Sequence, residues 1–482
     1  MKMQTFGNYI NGEWATAGPT FENRNPAHSD EVVGLFVAGT PGDVEDAAAA
    51  AAAALPAWSA TNAPARGAVL YKAAEILERR CDQLAADMTR EEGKTLPEAR
   101  GEVRRAIHIF RYFAGEGSRL FGLLVPSERD RVHTFAFRKP LGVVGLITPW
   151  NFPSAIPAWK LAPALVCGNT VVLKPASAAP LSAWRIVEAL AEAGLPRGVV
   201  NLVAGPGGAL GQALIGAGPV KGVSFTGSCE VGRGVHAEAS RRRLRIQLEM
   251  GGKNPAIVLA DADLEAAVEN VVNGAFFSTG QKCTATSRAI VEEPVYSRFL
   301  EALVARTKKL KVGDGMEPGI EMGPCVDRAQ METVLRYIET GRREAGEPAA
   351  GGYRLSGGGY DRGWFVAPTI FAGVTEEMTI AREEIFGPVL AVMRAPDFAG
   401  ALRMANGTSF GLSASIQTRD LSRVYEYING IEAGLITVNL PSAGVEYQLP
   451  FGGTKDSSFG PKEQGPAAIE FYTDYKTVYL KY

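Results

Sequence analysis

The stretch that decides the fold comes in five pieces: LGVVGLITPWNFP (141–153), GNTVVLKPAS (168–177), GVVNLVAGPGG (198–208), KGVSFTGSCEVG (221–232) and RLRIQLEMGGK (243–253). Each opens on aliphatic and β-branched residues and closes on a turn rich in Gly, Pro, Ser or Asn. The spacing, roughly 22 to 30 residues, leaves room for one helix between successive runs. Strands are therefore expected at Val143–Thr148, Thr170–Lys174, Val199–Val203, Gly222–Phe225 and Arg245–Glu249. Repeated strand–helix units give a parallel sheet with helices on its faces.

The same alternation resumes from Pro255 to about Val438 and predicts a second α/β domain. On the other side, the first 40 residues carry short β-like runs with turn signals at Asn11-Gly12 and Asn25-Pro26. Helices are expected next. Thr40-Pro41-Gly42-Asp43 reads as a cap with Pro at the first helical position, and an Ala-rich run continues to Ala54. Further helical tracts run from about Pro64 to Arg90 and from Leu96 to Gly115. Arg131–Arg138 and Phe471–Leu480 alternate like strands but stand apart from either sheet, and such tracts often pair outside their own domain. There is no internal repeat.

A chain of 482 residues makes about three units of ~150 residues each. With 46% hydrophobic and 21% charged residues, wholesale disorder is excluded. Lys plus Arg number 50 and Asp plus Glu 52, so the net charge is −2 and no basic face for a nucleic acid is expected. The five cysteines are odd in number and form no Cys-x-x-Cys pair, which argues against a disulfide framework or a zinc knuckle. The four histidines are too scattered for a local metal motif, so no metal is expected. MKMQTFGNYINGEW (1–14) has no apolar signal core, and no run approaches 18 apolar residues. A soluble, cytoplasmic protein with no membrane partner is the expectation.

Several strand ends carry chemistry-bearing residues. Ligands of open parallel sheets bind at the carboxyl ends of strands. Glu249 stands at one such end, before Gly251 and Gly252. Asn151 follows another, and its amide could donate to an oxyanion. Asn is also an ordinary turn residue, and Glu249 could be a solvated loop carboxylate. Lys174 ends the next strand, within reach of a ribose or phosphate. Gly205-Pro206-Gly207-Gly208 and Phe225-Thr226-Gly227-Ser228 end two more, and neither fits the dinucleotide G-x-G-x-x-G pattern or a P-loop. Cys283, in STGQKCT (278–284), has small polar neighbours poorly suited to a packing role.

Taken in order, PWNFP (149–153), VVLKPAS (171–177), FTGS (225–228), LEMGGK (248–253), STGQKC (278–283), EEIFGP (383–388) and PFGG (450–453) resemble the aldehyde dehydrogenase superfamily over essentially the whole chain. FSTGQKCTATSR (277–288) and SAGVEYQLPFGGTKDSS (442–458) resemble more narrowly the bacterial α-ketoglutaric semialdehyde dehydrogenases. The resemblance implies an α/β fold of two doubly wound parallel-sheet domains with a small bridging β-element. The cofactor-binding domain would comprise 1–119 and 142–251, and the catalytic domain 252–454. Residues 120–141 and 468–482 would be oligomerisation strands of a homodimer or homotetramer.

It also implies roles. Cys283 would be the nucleophile, Asn151 with the Cys283 backbone N–H the oxyanion donors, and Glu249 the base that hydrolyses the thioester. Trp150, Lys174, Ser177, Gly207, Phe225, Gly227, Ser228, Gly251, Glu384 and Phe386 would bind the cofactor. Many NAD-preferring relatives have Glu where this chain has Ser177, so both NAD and NADP are expected to be accepted. For the aldehyde substrate, some semialdehyde enzymes hold the distal carboxylate with two arginines, at the positions of Trp159 and Phe277 here. Phe152, Trp159, Phe277 and Tyr447 would make an apolar tunnel. Arg104, Arg105 or Arg111 could supply a replacement charge, and Arg111 is taken as the substrate residue. α-Ketoglutaric semialdehyde is the expected substrate, with medium-chain aliphatic or aromatic aldehydes as the alternative. A non-catalytic protein of the same fold, or a thiol esterase using the same cysteine, remains a third possibility.

Overall fold

The computed structural model describes residues 4–482; Met1–Met3, which open the tract read for a signal core, lie outside the described residues. Two parallel sheets form the body of the molecule. In the first, strands Arg245–Glu249, Val220–Thr226, Val143–Ile147, Thr170–Lys174 and Val200–Leu202 lie side by side in that order, all parallel. An antiparallel hairpin, Asn8–Ile10 with Glu13–Ala15, extends one edge, and Ser458–Phe459 pairs antiparallel on the other. Its turn uses Asn11 and Gly12, both at positive φ (50° and 80°), as the Asn-Gly signal predicts.

Strand order in this sheet reverses between Val143–Ile147 and Val220–Thr226, because the chain first builds outward on one side and then returns to the other. The loops leaving these two strands diverge to opposite faces and open a crevice there. They are the loops that hold Trp150-Asn151 and Gly227-Ser228. The second sheet orders Thr369–Phe371, Val389–Ala395, Thr286–Glu292, Asn254–Val258, Ser413–Gln417 and Leu435–Val438, again all parallel. A separate three-stranded antiparallel sheet joins Thr473–Lys481, Val132–Pro140 and Leu123–Val125.

The sequence-predicted strands Thr170–Lys174 and Arg245–Glu249 occur with those bounds. Thr40 caps its helix, with the Thr40 and Asp43 side chains bonding each other's backbone amides. That helix continues past Ala54 and through Pro56 to Ala60, held by Trp58, whose indole donates to Leu165 O at 3.2 Å. The tract expected to be one helix from Pro64 to Arg90 is two, Ala63–Arg79 and Cys81–Glu92, with a break at Arg80 that no Pro or Gly marks. The last tract also differs from expectation. Phe471 and Tyr472 end a short helix, Ala468–Tyr472, and the strand starts at Thr473. Both rings are buried, and consecutive strand residues point to opposite faces, so a strand lying on one surface could not bury both.

Candidate active site

The loop after Val143–Ile147 is fixed from below by buried charge. Lys94 Nζ pairs with Glu102 and donates to Asn151 O at 2.8 Å, and its ammonium lies 4.5 Å from the Phe152 ring centroid. The other Glu102 oxygen accepts from the backbone amides of Ser154 (2.8 Å) and Ala155 (3.0 Å), where helix Ala155–Val166 begins. Asn151 is thereby held, and its Nδ2 donates to Gln281 O at 3.0 Å. One loop of each sheet is thus stapled to the other.

The Cys283 loop is backbone-strained. Ser278 and Thr279 sit at φ 53° and 57° and Gly280 at 65°. For Ser and Thr this conformation costs on the order of 1–2 kcal/mol each. Three contacts hold it. Glu98 accepts from Ser278 N (2.7 Å), Thr279 Oγ1 donates to Gly323 O (3.0 Å), and Gln281 Oε1 accepts from Val326 N (3.0 Å). At Gly280 a Cβ would lie 2.4 Å from Gly387 O, so only glycine fits. The Cys283 carbonyl accepts from Asn254 Nδ2 at 2.7 Å. Burial pushes the thiol up to about 12, helped by the charges of Glu384 and Glu249.

Glu249 ends its strand as expected and is buried. Ser458 Oγ donates to its Oε2 at 2.6 Å, and Gly452 leaves room for Oε1, which a Cβ there would approach to 2.5 Å. Burial, then the nearby Glu463 charge, raises the Glu249 carboxyl well above the ordinary range. Glu463 itself pairs with Lys160, whose ammonium also donates to Ser224 Oγ at 2.7 Å.

Across the crevice, Trp150 and Phe386 meet edge to face, 5.4 Å between centroids. Phe386 sits at φ 56°, its carbonyl accepting from Gln330 Nε2 at 2.8 Å. The Glu384 carboxylate accepts from Gly252 N at 3.0 Å and lies where a Cβ on Gly251 would be, and burial moves it up to about 7. Lys174 is buried with only Pro175 O as partner, at 2.9 Å, and burial lowers it to about 8. Gly207 opens helix Gly207–Gly216 beside it, with no side-chain cap. Ser177 Oγ donates to Gly205 O at 2.6 Å. Ser228 caps the thirteen-residue helix Cys229–Arg241, and the Phe225 ring packs against Gly227, where a Cβ would approach it to 2.5 Å. An ammonium without an anion, helix N-termini and facing rings at the switch point form a cradle that suits an anionic dinucleotide.

A cavity of about 330 Å³ reaches Cys283 and is walled by Phe152, Trp159, Phe277 and Phe451, with Arg105 and Glu98 also on its lining. The expected Arg111 is not on that lining, which is a correction. Six residues along a helix rotate through about 600°, so Arg111 points about 120° away from Arg105. It pairs with Glu78 instead. Tyr447 is also absent from the lining, its ring set 5.9 Å from both His108 and Tyr112. Lys94, Glu98, Glu102, Lys160, Ser458 and Glu463 went unmarked in the sequence, because each acquires its meaning only through a long-range contact.

The chain belongs to the aldehyde dehydrogenase family, whose model matches residues 14–478. It is an oxidoreductase acting on aldehydes, and the non-catalytic and esterase readings are set aside. The chain is 50% identical over 482 residues to the α-ketoglutaric semialdehyde dehydrogenase of Bacillus subtilis, covering 100% of this chain and 99% of that protein. It is 44% identical over 466 residues to the 2,5-dioxopentanoate dehydrogenase of Saccharolobus solfataricus, covering 96% of each. A betaine aldehyde dehydrogenase from Staphylococcus aureus, solved in complex with NAD+, superposes with a TM-score of 0.96 at 33% identity, covering 100% of this chain and 95% of that one.

Proposed function

We propose that the protein oxidises α-ketoglutaric semialdehyde, an aldehyde with a carboxylate at its far end, to the corresponding dicarboxylate. The observation that carries this reading is the 50% identity, end to end, with the Bacillus semialdehyde enzyme. In the proposed reaction Cys283 Sγ releases its proton to solvent and bonds to the aldehyde carbon. The resulting oxyanion takes hydrogen bonds from the Asn151 amide and the Cys283 N–H, a kind of contact worth about 10²–10³ in turnover. A bound nicotinamide supplies the two-electron acceptor that converts the thiohemiacetal into a thioester on Cys283. Glu249 then takes a proton from water as the water attacks the thioester carbon. The carbon–sulfur bond breaks, the carboxylate leaves, and the proton held by Glu249 returns to the Cys283 thiolate.

Either NAD+ or NADP+ serves in this reading. Lys174, Ser177, the amides from Gly207 and Ser228, and the Trp150, Phe386 and Glu384 side chains would hold it. Residues 1–119 with 142–251 make the cofactor-binding unit, and 252–454 the unit that supplies Cys283. The sheet formed by 120–141 and 468–482 joins subunits of a homodimer or homotetramer, a role favoured by exposed Leu123, Leu124 and Val125 on its edge strand. Five free cysteines favour a reducing compartment, the cytoplasm.

The aromatic walls of the cavity favour one second reading, a neutral medium-chain or aromatic aldehyde. A comparison of kcat/KM for the semialdehyde and for pentanal, of equal chain length, separates the two. The semialdehyde should win by roughly 10- to 150-fold, the worth of one charge-assisted contact. Preference for pentanal would overturn the assignment.

A further inference from the structure

The cavity that reaches Cys283 is apolar on most of its wall, and three charged side chains touch it: Glu98, Lys282 and Arg105. Glu98 is fully committed to the protein, and Lys282 is held on a backbone carbonyl. One Glu98 oxygen accepts from Ser278 N (2.7 Å) and Ser278 Oγ (3.1 Å), the other from Thr95 N (2.9 Å) and Thr95 Oγ1 (2.8 Å). Lys282 turns its ammonium onto Asn273 O at 3.0 Å, and burial draws it down to about 8.

Arg105 differs. Its guanidinium donates to the Val445 carbonyl, and its buried Nε has no partner. Among the described residues it forms no ion pair. Its acidic neighbours are Glu446 and Glu102, and Glu102 is already taken by Lys94 and two backbone amides. A largely buried guanidinium with unused donors is costly unless an anion reaches it. Arginine keeps its charge under such burial, and its planar fork matches a carboxylate with two parallel bonds.

We infer that Arg105 receives the distal carboxylate of the substrate, orienting the aldehyde end toward Cys283; this rests on the semialdehyde reading above. The substrate class it selects is an aliphatic aldehyde with a carboxylate at the opposite end. Trp159 and Phe277 then pack on the carbon chain between the two ends.

The test is the ratio of kcat/KM for α-ketoglutaric semialdehyde over pentanal in the wild type, Arg105→Met and Arg105→Lys. The ratio should fall roughly 10- to 150-fold in Arg105→Met, mainly through KM for the semialdehyde. Lysine restores the charge but not the fork, so Arg105→Lys should lie between the other two. It also decides the matter should the methionine variant fail to fold. Glutarate, as a competitive inhibitor, should weaken in parallel. A wild type that prefers the semialdehyde, with both variants keeping that ratio, overturns the role of Arg105 alone. A wild type that prefers pentanal overturns the semialdehyde reading and this inference with it.

Discussion

Burial acts on Cys283 and Glu249 in the same direction, raising the thiol to about 12 and the carboxyl well above its ordinary range. Burial thus favours the protonated form of both groups, and with it a site without two adjacent negative charges. Glu249 gains its basic form only as pH rises through that elevated value, so turnover should decline on acidification from well above the ordinary carboxylate range. At the cofactor end Ser177 Oγ donates to Gly205 O, so under the proposed dual acceptance the serine would matter by placing no carboxylate against a 2′-phosphate. Ser177→Glu should raise KM for NADP+ far more than for NAD+, and an equal rise for both would refute dual acceptance through this position. The strand-end placement of Asn151 and Glu249 was legible locally, whereas the roles expected for them and for Cys283 came from the family resemblance. Arg105 was legible only as one of three arginines on a helix, since which one faces the cavity depends on where the helix packs.

At the scale of elements, the buried Lys94–Glu102 pair sets the catalytic loop. Glu102 accepts from the amides that open helix Ala155–Val166, and Lys94 pins the carbonyl of Asn151. Glu92 also approaches Lys94, at 3.8 Å, but burial raises it to about 8, so near neutral pH it is largely uncharged and Glu102 is the working partner. Removing one partner of a buried pair leaves the other charge stranded, at about 3–5 kcal/mol. Lys94→Met should therefore lower unfolding stability by that amount in denaturant titrations, and a loss below about 1 kcal/mol would show that the pair does not hold the loop. The strands of the first sheet were readable because residues buried on both faces appear as short continuous aliphatic runs. The break at Arg80 was not, since its cause lies in how two helices pack. Nor was the helix at Phe471-Tyr472, whose alternating neighbours imitate a strand.

For the whole molecule, the decisive arrangement is two parallel sheets facing one crevice. The first brings Asn151, Lys174 and Glu249 to its strand ends, and the second brings Cys283 and Glu384 to meet them. Strand order, and hence the switch point, comes from pairings across long stretches of chain, which local patterns do not encode. The third sheet leaves Leu124 80% exposed on an edge strand, and an open apolar edge invites another chain. Leu124→Lys should shift the mass in solution toward the monomer. An unchanged mass would place the subunit contact elsewhere.

The central claim, a thioester on Cys283 resolved by Glu249, is tested most directly by rapid-mixing kinetics of Glu249→Gln with saturating aldehyde and cofactor. The amide keeps the shape of the site but cannot take the proton from water. Reduced cofactor should appear in a stoichiometric burst and then almost stop, with the acylated enzyme accumulating. Steady-state turnover equal to that of the wild type would contradict the account.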